Sequence, residues 1–151
     1  MNCMNALIQR VSSAKVEVEG SVIGEITWGL LIFVCAVKGD TDQDLDYLVK
    51  KISQLRIFSD EQGKMNRSVM EIKGAALVVS QFTLAASTRK GNRPSFDAAE
   101  SSDRARMMYE AFVRKLKETG IMVRTGEFAA SMAVSLVNDG PVTIFINSRE
   151  E

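Results

Sequence analysis

The 151-residue chain contains no histidine, only two prolines and two cysteines, and its 19 basic and 19 acidic side chains cancel. Without imidazole, neither a Ser-His-Asp nor a Cys-His nucleophile system can be assembled within one chain, and the usual imidazole-ligated catalytic zinc site is excluded with them. Cys3 in the terminus and Cys35 in an apolar run read as two reduced thiols, not as a disulfide or a redox CxxC. A balanced charge gives no global attraction to nucleic acid, so any RNA contact must come from a local patch. No segment reaches the roughly 20 apolar residues that span a bilayer. The opening Met1-Asn2-Cys3-Met4-Asn5 lacks the charged-then-apolar order of a signal peptide, so the expected address is the cytoplasm, with no membrane partner. Gly24, Gly29 and Gly39 are too dispersed for a phosphate or dinucleotide loop. The carboxylates are scattered, with no pair spaced for acid-base work or metal binding, so no cofactor and no metal are expected.

What is present suits one domain over residues 1–151. A chain of this length buries roughly 68–70% of its unfolded surface, enough for a core without covalent staples. Leu7 to Val11, Ala14 to Glu19 and Val22 to Ile26 read as a meander of short strands, with Glu19-Gly20-Ser21 as a turn. Leu30 to Val37 carries no charge and ends at Gly39-Asp40, which suits a central strand buried on both faces. Thr41-Asp42-Gln43-Asp44 has capping-box spacing, and Leu45, Leu48, Val49, Ile52 and Leu55 follow at helical period, predicting a helix over 41–55. A short strand around Arg56 to Phe58 and local pairing of Ser68 to Ile72 flank the turn Asp60 to Lys64. Ala75 to Val79 predicts a buried strand running into Ser80-Gln81-Phe82-Thr83-Leu84. Ala105, Met108, Tyr109, Phe112, Val113 and Leu116 define a second helix, opening near Ser101 and stopped by Gly120. Ile121 to Arg124, Met132 to Val137 and Val142 to Ile146 read as strands, the last two joined tightly by Asn138-Asp139-Gly140-Pro141. The whole predicts an α+β domain of mixed or antiparallel sheet covered by two main helices.

Three segments can carry chemistry. Ser80-Gln81-Phe82-Thr83 is either a strand end capped by hydroxyls or an acyl site whose backbone N–H groups near Phe82 and Thr83 hold an ester oxyanion. A threonine nucleophile would need a base, and no histidine supplies one. Gly140-Pro141 is either turn material or a cis dipeptide whose two carbonyls face one side as an acceptor fork. Arg89-Lys90-Gly91-Asn92-Arg93 is either a solvated loop or a phosphate-positioning patch, Gly91 allowing close backbone approach. The eight methionines are mostly core filler.

Ser80-Gln81-Phe82-Thr83-Leu84 and Asn138-Asp139-Gly140-Pro141-Val142-Thr143 resemble the two signature motifs of the D-aminoacyl-tRNA deacylases, the D-tyrosyl-tRNA deacylase family. The likeness extends through Ile8-Gln9-Arg10-Val11, Gly63-Lys64-Met65-Asn66 and Arg93-Pro94-Ser95-Phe96, so it covers the chain from about Met4. It implies that family's barrel-like fold and cofactor-free hydrolysis of the ester of D-aminoacyl-tRNA. It also implies a homodimer in which a cis Gly140-Pro141 reaches into the partner's pocket and rejects L side chains by sterics. Glycine, being achiral, would escape that rejection. Ser80, Gln81, Phe82 and Thr83 would line the pocket for the terminal adenosine and ester, Met132 would pack near the adenine, and Arg10 would hold the dipeptide. The 2′-hydroxyl of the tRNA would assist the attacking water. Arg89, Lys90 and Arg93 are the candidate tRNA contacts. The chain departs from the family pattern at Trp28, Cys35 and Val37, where small or polar residues are expected, and at Ser131, where an aspartate commonly precedes the methionine. The residues before Met4 look like an extension. Two other readings use the same residues: a non-catalytic RNA-binding module built on the basic loop, and a small acyl-hydrolase using Ser80 or Thr83.

Overall fold

The computed structural model describes residues 4–149, so Cys3 lies outside the described residues. Its organising element is β1 (Asn5–Val18), a single 14-residue strand where the sequence suggested two. The polar pair Ser12-Ser13 does not end the strand, because it falls at a register shift between Val11 and Ser13. One edge of β1 is shared between two partners: β2 (Ser21–Ile26) pairs with its second half and β3 (Gly29–Cys35) with its first. The other edge pairs along nearly its whole length with β8 (Ala133–Asn147).

The sheet continues from β3 to β6 (Ala75–Ser80) and β7 (Met122–Thr125), giving the order β2-β1-β3-β6-β7 with β8 on β1. β3, β6 and β7 are mutually parallel neighbours, and the remaining pairs are antiparallel, so the sheet is mixed as expected. Parallel neighbours need crossover connections, and the two helices lie in them: α1 (Asp42–Gln54) between β3 and β6, α2 (Ser102–Glu118) between β6 and β7. The sheet curls until β2 meets β7. Gly24 lies so close to the Thr125 carbonyl that a side chain there would collide with it. The result is a barrel-like α+β domain.

Two apolar cores follow. Leu30, Ile32 and Val34 of β3 and Ala76 and Val78 of β6 face the helices, packing with Leu45, Leu48, Phe112 and Leu116. Leu31, Leu77 and Val79 point the other way, into the curl of the sheet, with Val11, Ala14, Val16 and Ile26. β3 and β6 are therefore buried on both faces, which is why their sequences read as continuous apolar runs. At the start of α1, the Asp44 carboxylate accepts from the Thr41 N–H at 2.8 Å and the Thr41 hydroxyl at 3.1 Å. It also receives Arg149 at 2.8 Å and Ser148 at 2.7 Å, pinning the C-terminal segment. Chiefly through Arg149, its carboxyl is held well below the usual carboxylate range.

Four local expectations are corrected. The central strand stops at Cys35, and Val37 makes only an isolated bridge to Ala99. The strand near Arg56 is Phe58–Ser59 (β4), paired with Met65–Arg67 (β5). Ser68 to Ile72 forms a turn, the Ile72 N–H donating to the Ser68 carbonyl at 3.2 Å, and not a pairing. Finally, Asn138 to Pro141 does not connect two hairpin strands. Thr143 pairs with Gln9 and Asn138 with Val11 of the same strand, so residues 139–142 bulge opposite Arg10 alone. Turn-forming residues here make an excursion within one long strand.

Candidate active site

At Ser80 the buried strand β6 reaches the end of the sheet. The Gln81 N–H donates to the Val34 carbonyl at 2.9 Å, and residues Phe82–Ala85 then wind into a 3₁₀ turn. The first amides of such a turn have no partner within it. The Phe82 and Thr83 N–H groups find no acceptor among the described residues, while Leu84 and Ala86 donate back to Gln81 and Thr83. Two adjacent backbone donors are thus left open beside a cleft.

That cleft has a volume of about 510 Å³. Ser80, Gln81 and Phe82 form one wall, Met132 and Val134 another, and Glu100, Ser102 and Ala105 a third, closed by Phe128 to Ala130. Thr83 is the next residue on the turn and accepts a hydrogen bond from the Gln81 side-chain amide. An amide is not a base, so the environment offers nothing to deprotonate this hydroxyl. Cys35 is buried in the wall, its Sγ 3.7 Å from the Phe82 carbonyl. Burial, helped by the nearby Asp40 charge, pushes its thiol up to about 11, so it stays protonated at neutral pH and is a poor nucleophile.

Gly140 and Pro141 are joined by a cis peptide bond and are exposed at the β8 bulge. Arg10 holds this bulge. Its Nε donates to the Asp139 carbonyl at 2.8 Å and its Nη1 to the Ile57 carbonyl at 2.7 Å. Gly140 has φ +147°, and a side chain there would press on the Val142 nitrogen and the Arg10 guanidinium. Neither Gly140 nor Pro141 lines the cleft of its own chain. Arg89, Lys90 and Arg93 are all exposed in a loop closed by reciprocal 2.8 Å hydrogen bonds between Ser87 and Ser95. The candidate residues therefore fall into three groups: Ser80, Gln81, Phe82 and Met132 in one cleft with Thr83 at its lip, Arg10 with Gly140-Pro141, and the basic loop.

A family profile described as D-Tyr-tRNA(Tyr) deacylase matches residues 7–147. The chain belongs to the D-aminoacyl-tRNA deacylase family. It is 59% identical over 146 residues to the D-aminoacyl-tRNA deacylase of Persephonella marina, covering 97% of this chain and 99% of that one. To the D-aminoacyl-tRNA deacylase of Ruegeria sp. (strain TM1040) it is 57% identical, covering 96% of this chain and 93% of the relative. Among solved structures it resembles the c-Myc DNA Unwinding Element Binding Protein, with a TM-score of 0.90 at 39% identity over 94% of this chain and 97% of that chain. A structure described as "a probable eukaryotic D-amino acid tRNA deacylase" shares the fold, with a TM-score of 0.83 at 16% identity over 96% of this chain and 99% of that one.

Membership in the deacylase family makes the chain an enzyme, a hydrolase. Several cleft residues of this deacylase-family chain had no separate signal in its sequence. Glu100, Ser102 and Ala105 reach the cleft because α2 starts beside the end of β3, where Glu100 donates its N–H to the Ala36 carbonyl at 3.2 Å. Phe128 packs on Tyr109 with ring centroids 5.8 Å apart, and its placement depends on that tertiary contact. Phe96 lies against Phe82 edge-on, ring centroids 5.0 Å apart. It belongs to the Arg93-Pro94-Ser95-Phe96 segment, but nothing in the sequence placed it beside Phe82.

Proposed function

We propose that this protein hydrolyses the ester between a D-amino acid and the 3′ end of tRNA in the cytoplasm, releasing the free amino acid and the tRNA. The observation that carries the reading is the pair of open N–H groups of Phe82 and Thr83 at the lip of a cleft that offers no activated nucleophile. Such a site acts by fixing geometry and stabilising the oxyanion, which is the mode that ester hydrolysis by a positioned water requires. In this reading the terminal adenosine enters the cleft against Met132, and the carbonyl oxygen of the ester points to the two amides. The ribose 2′-hydroxyl, next to the ester, assists the water, so the chain needs no base of its own.

Discrimination of handedness is assigned to Gly140-Pro141 supplied by a second copy of the chain. The dipeptide's exposure on a rigidly held bulge, away from its own cleft, supports this cross-subunit arrangement. An L side chain would be excluded by contact with the dipeptide, whereas glycine has nothing to exclude. Glycyl-tRNA, including tRNA-Ala mischarged with glycine, is therefore a second expected substrate.

The test is hydrolysis of D-tyrosyl-tRNA and L-tyrosyl-tRNA by the purified protein, with sedimentation to establish the dimer. Release from the D ester alone is expected. Equal rates on both esters, or no release from the D ester, would overturn the reading.

A further inference from the structure

Phe82 and Phe96 are large aromatic residues left exposed, 58% and 36%, and they face each other at the mouth of the cleft. Phe96 immediately follows Ser95, whose hydrogen bonds with Ser87 close the base of the basic loop. Arg89, Lys90 and Arg93 are therefore presented next to an aromatic pair, with Asp97 the one carboxylate between Ser87 and Ala99. Solvent-exposed rings flanked by cations are what unpaired nucleotides recognise: bases stack on the rings while phosphates meet the cations, without sequence readout. In the deacylase reading the cleft takes the terminal adenosine, and a strand entering it must pass over its lip. Neither residue of the pair is buried in the core, so packing does not account for their exposure.

We propose that Phe96, with Phe82 and the 89–93 loop, forms a stacking platform for the single-stranded nucleotides immediately 5′ of the terminal adenosine. The proposal rests on the deacylase reading for the direction of the strand. Phe96 is on this view a substrate-binding residue that acts on the RNA and not on the ester. The platform gives a protein of zero net charge a local grip on RNA, and that grip is confined to the acceptor tip.

Phe96→Leu keeps an apolar neighbour for Phe82 and removes the π-face. On D-tyrosyl-tRNA the variant should lose about fivefold or more in kcat/KM, mainly through KM, the lower end of what removing one stacking ring costs. On the minimal ester 3′-O-D-tyrosyl-adenosine it should match the parent, and Phe96→Trp should restore the tRNA rate. Equal losses on both esters, or no loss on tRNA, would overturn the platform. Binding decides the matter without turnover. A labelled single-stranded RNA ending in CCA, followed by fluorescence anisotropy, should bind Phe96→Leu and Arg93→Glu more weakly than the parent, and the latter with a shallower salt dependence. Unchanged binding by both variants would overturn the platform. If the parent hydrolyses neither ester yet binds this RNA in a Phe96-dependent way, the deacylase reading fails and the platform stands.

Discussion

Arg10 donates from Nε to the Asp139 carbonyl at 2.8 Å while its Nη1 reaches the Ile57 carbonyl at 2.7 Å, joining β1 to the β8 bulge across 129 positions of sequence. The planar guanidinium serves both acceptors at once, and a lysine ammonium cannot reproduce that fork. Arg10→Lys should therefore destabilise the fold by about 1 kcal/mol, the net worth of one exposed or half-buried hydrogen bond. It should also lower deacylation of D-tyrosyl-tRNA at least tenfold by loosening the bulge. Urea unfolding and single-turnover hydrolysis read the two effects separately, and full activity in the variant would remove Arg10 from the positioning of Gly140-Pro141.

Gly140 should tolerate no side chain. Its φ of +147° is one that L residues rarely adopt, and a Cβ would approach the Val142 nitrogen to 2.9 Å and the Arg10 Nη2 to 3.1 Å. Gly140→Ala is expected to displace the bulge and blur the preference for D over L esters while α1 and α2 stay folded. Comparing D- and L-tyrosyl-tRNA rates, with circular dichroism as the folding control, tests this.

Thr83 presents a hydroxyl whose neighbour is the Gln81 amide donor. If the backbone N–H and not the hydroxyl does the work, Thr83→Val should retain activity within about tenfold, since an oxyanion donor lost outright costs roughly 100- to 1,000-fold. A covalent intermediate trapped on Thr83, or complete loss with the fold intact, would mean that the hydroxyl is the nucleophile.

The substrate's contribution is tested from the RNA side. A tRNA ending in 2′-deoxyadenosine, charged on its 3′-hydroxyl with D-tyrosine, should be bound with unchanged affinity and hydrolysed far more slowly. Equal single-turnover rates for the two tRNAs would show that the 2′-hydroxyl takes no part.

Neighbouring carboxylates should act on stability in opposite directions. Burial lifts the Asp40 carboxyl to about 6, partly offset by the Val37 N–H at 2.6 Å, with Asp44 and Glu100 raising it and Arg149 lowering it. One Asp40 oxygen has no hydrogen-bond partner among the described residues. With the folded value above the unfolded one, the folded state binds more protons between about pH 4 and 6, so stability falls as pH rises through that window. Relative to Asp40→Asn, the parent should lose on the order of 2 kcal/mol across it. Asp44, held low by Arg149, has the reverse sign: its contribution is present above about pH 4 and is lost as pH falls below that. Urea titrations from pH 3 to 7 on the parent, Asp40→Asn and Asp44→Asn separate the two limbs.

Both helices were legible because each shows its buried face at helical period and opens at a recognisable cap, Thr41 for α1 and Ser101 for α2. The strands were legible as apolar runs but not as partners. Ser12-Ser13 looks like a break and is a bulge, since only the pairing with Asn138 and Val137 makes that visible. Asn138 to Pro141 has the chemistry of a hairpin turn, and the same chemistry serves an excursion within one strand. Which one forms depends on β1, about 130 residues away. In the cleft, Ser80 to Phe82 were legible through a motif that carries the family resemblance, and Met132 only as a position that the resemblance implies. The wall from Ala99 to Ala105 was not, because it is brought in by the packing of α2 and carries no residue pattern of its own.

The β8 bulge has a second role, in parity. A strand alternates sides at every residue, so even-numbered positions change faces only where an odd number of extra residues enters. Ala6 and Ile8 of β1 pack toward the helices, as do Val142 and Ile146 of β8, whereas Ala14, Val16, Val134 and Leu136 pack inside the curl of the sheet with Met132. Both strands thus invert close together, β8 opposite Arg10 and β1 at Ser12. From Thr143 to Asn138 β8 takes five steps while β1 takes two from Gln9 to Val11, and β1 then takes two steps to β8's one at Ser12. Each excess is odd. The excursion that displays Gly140-Pro141 is therefore also the phase inverter that turns Met132 toward the cleft. Deleting a single residue from it would leave both termini of β8 able to pair, but with one half facing the wrong way. The length of the excursion is therefore set by the core, through the parity it imposes on β8.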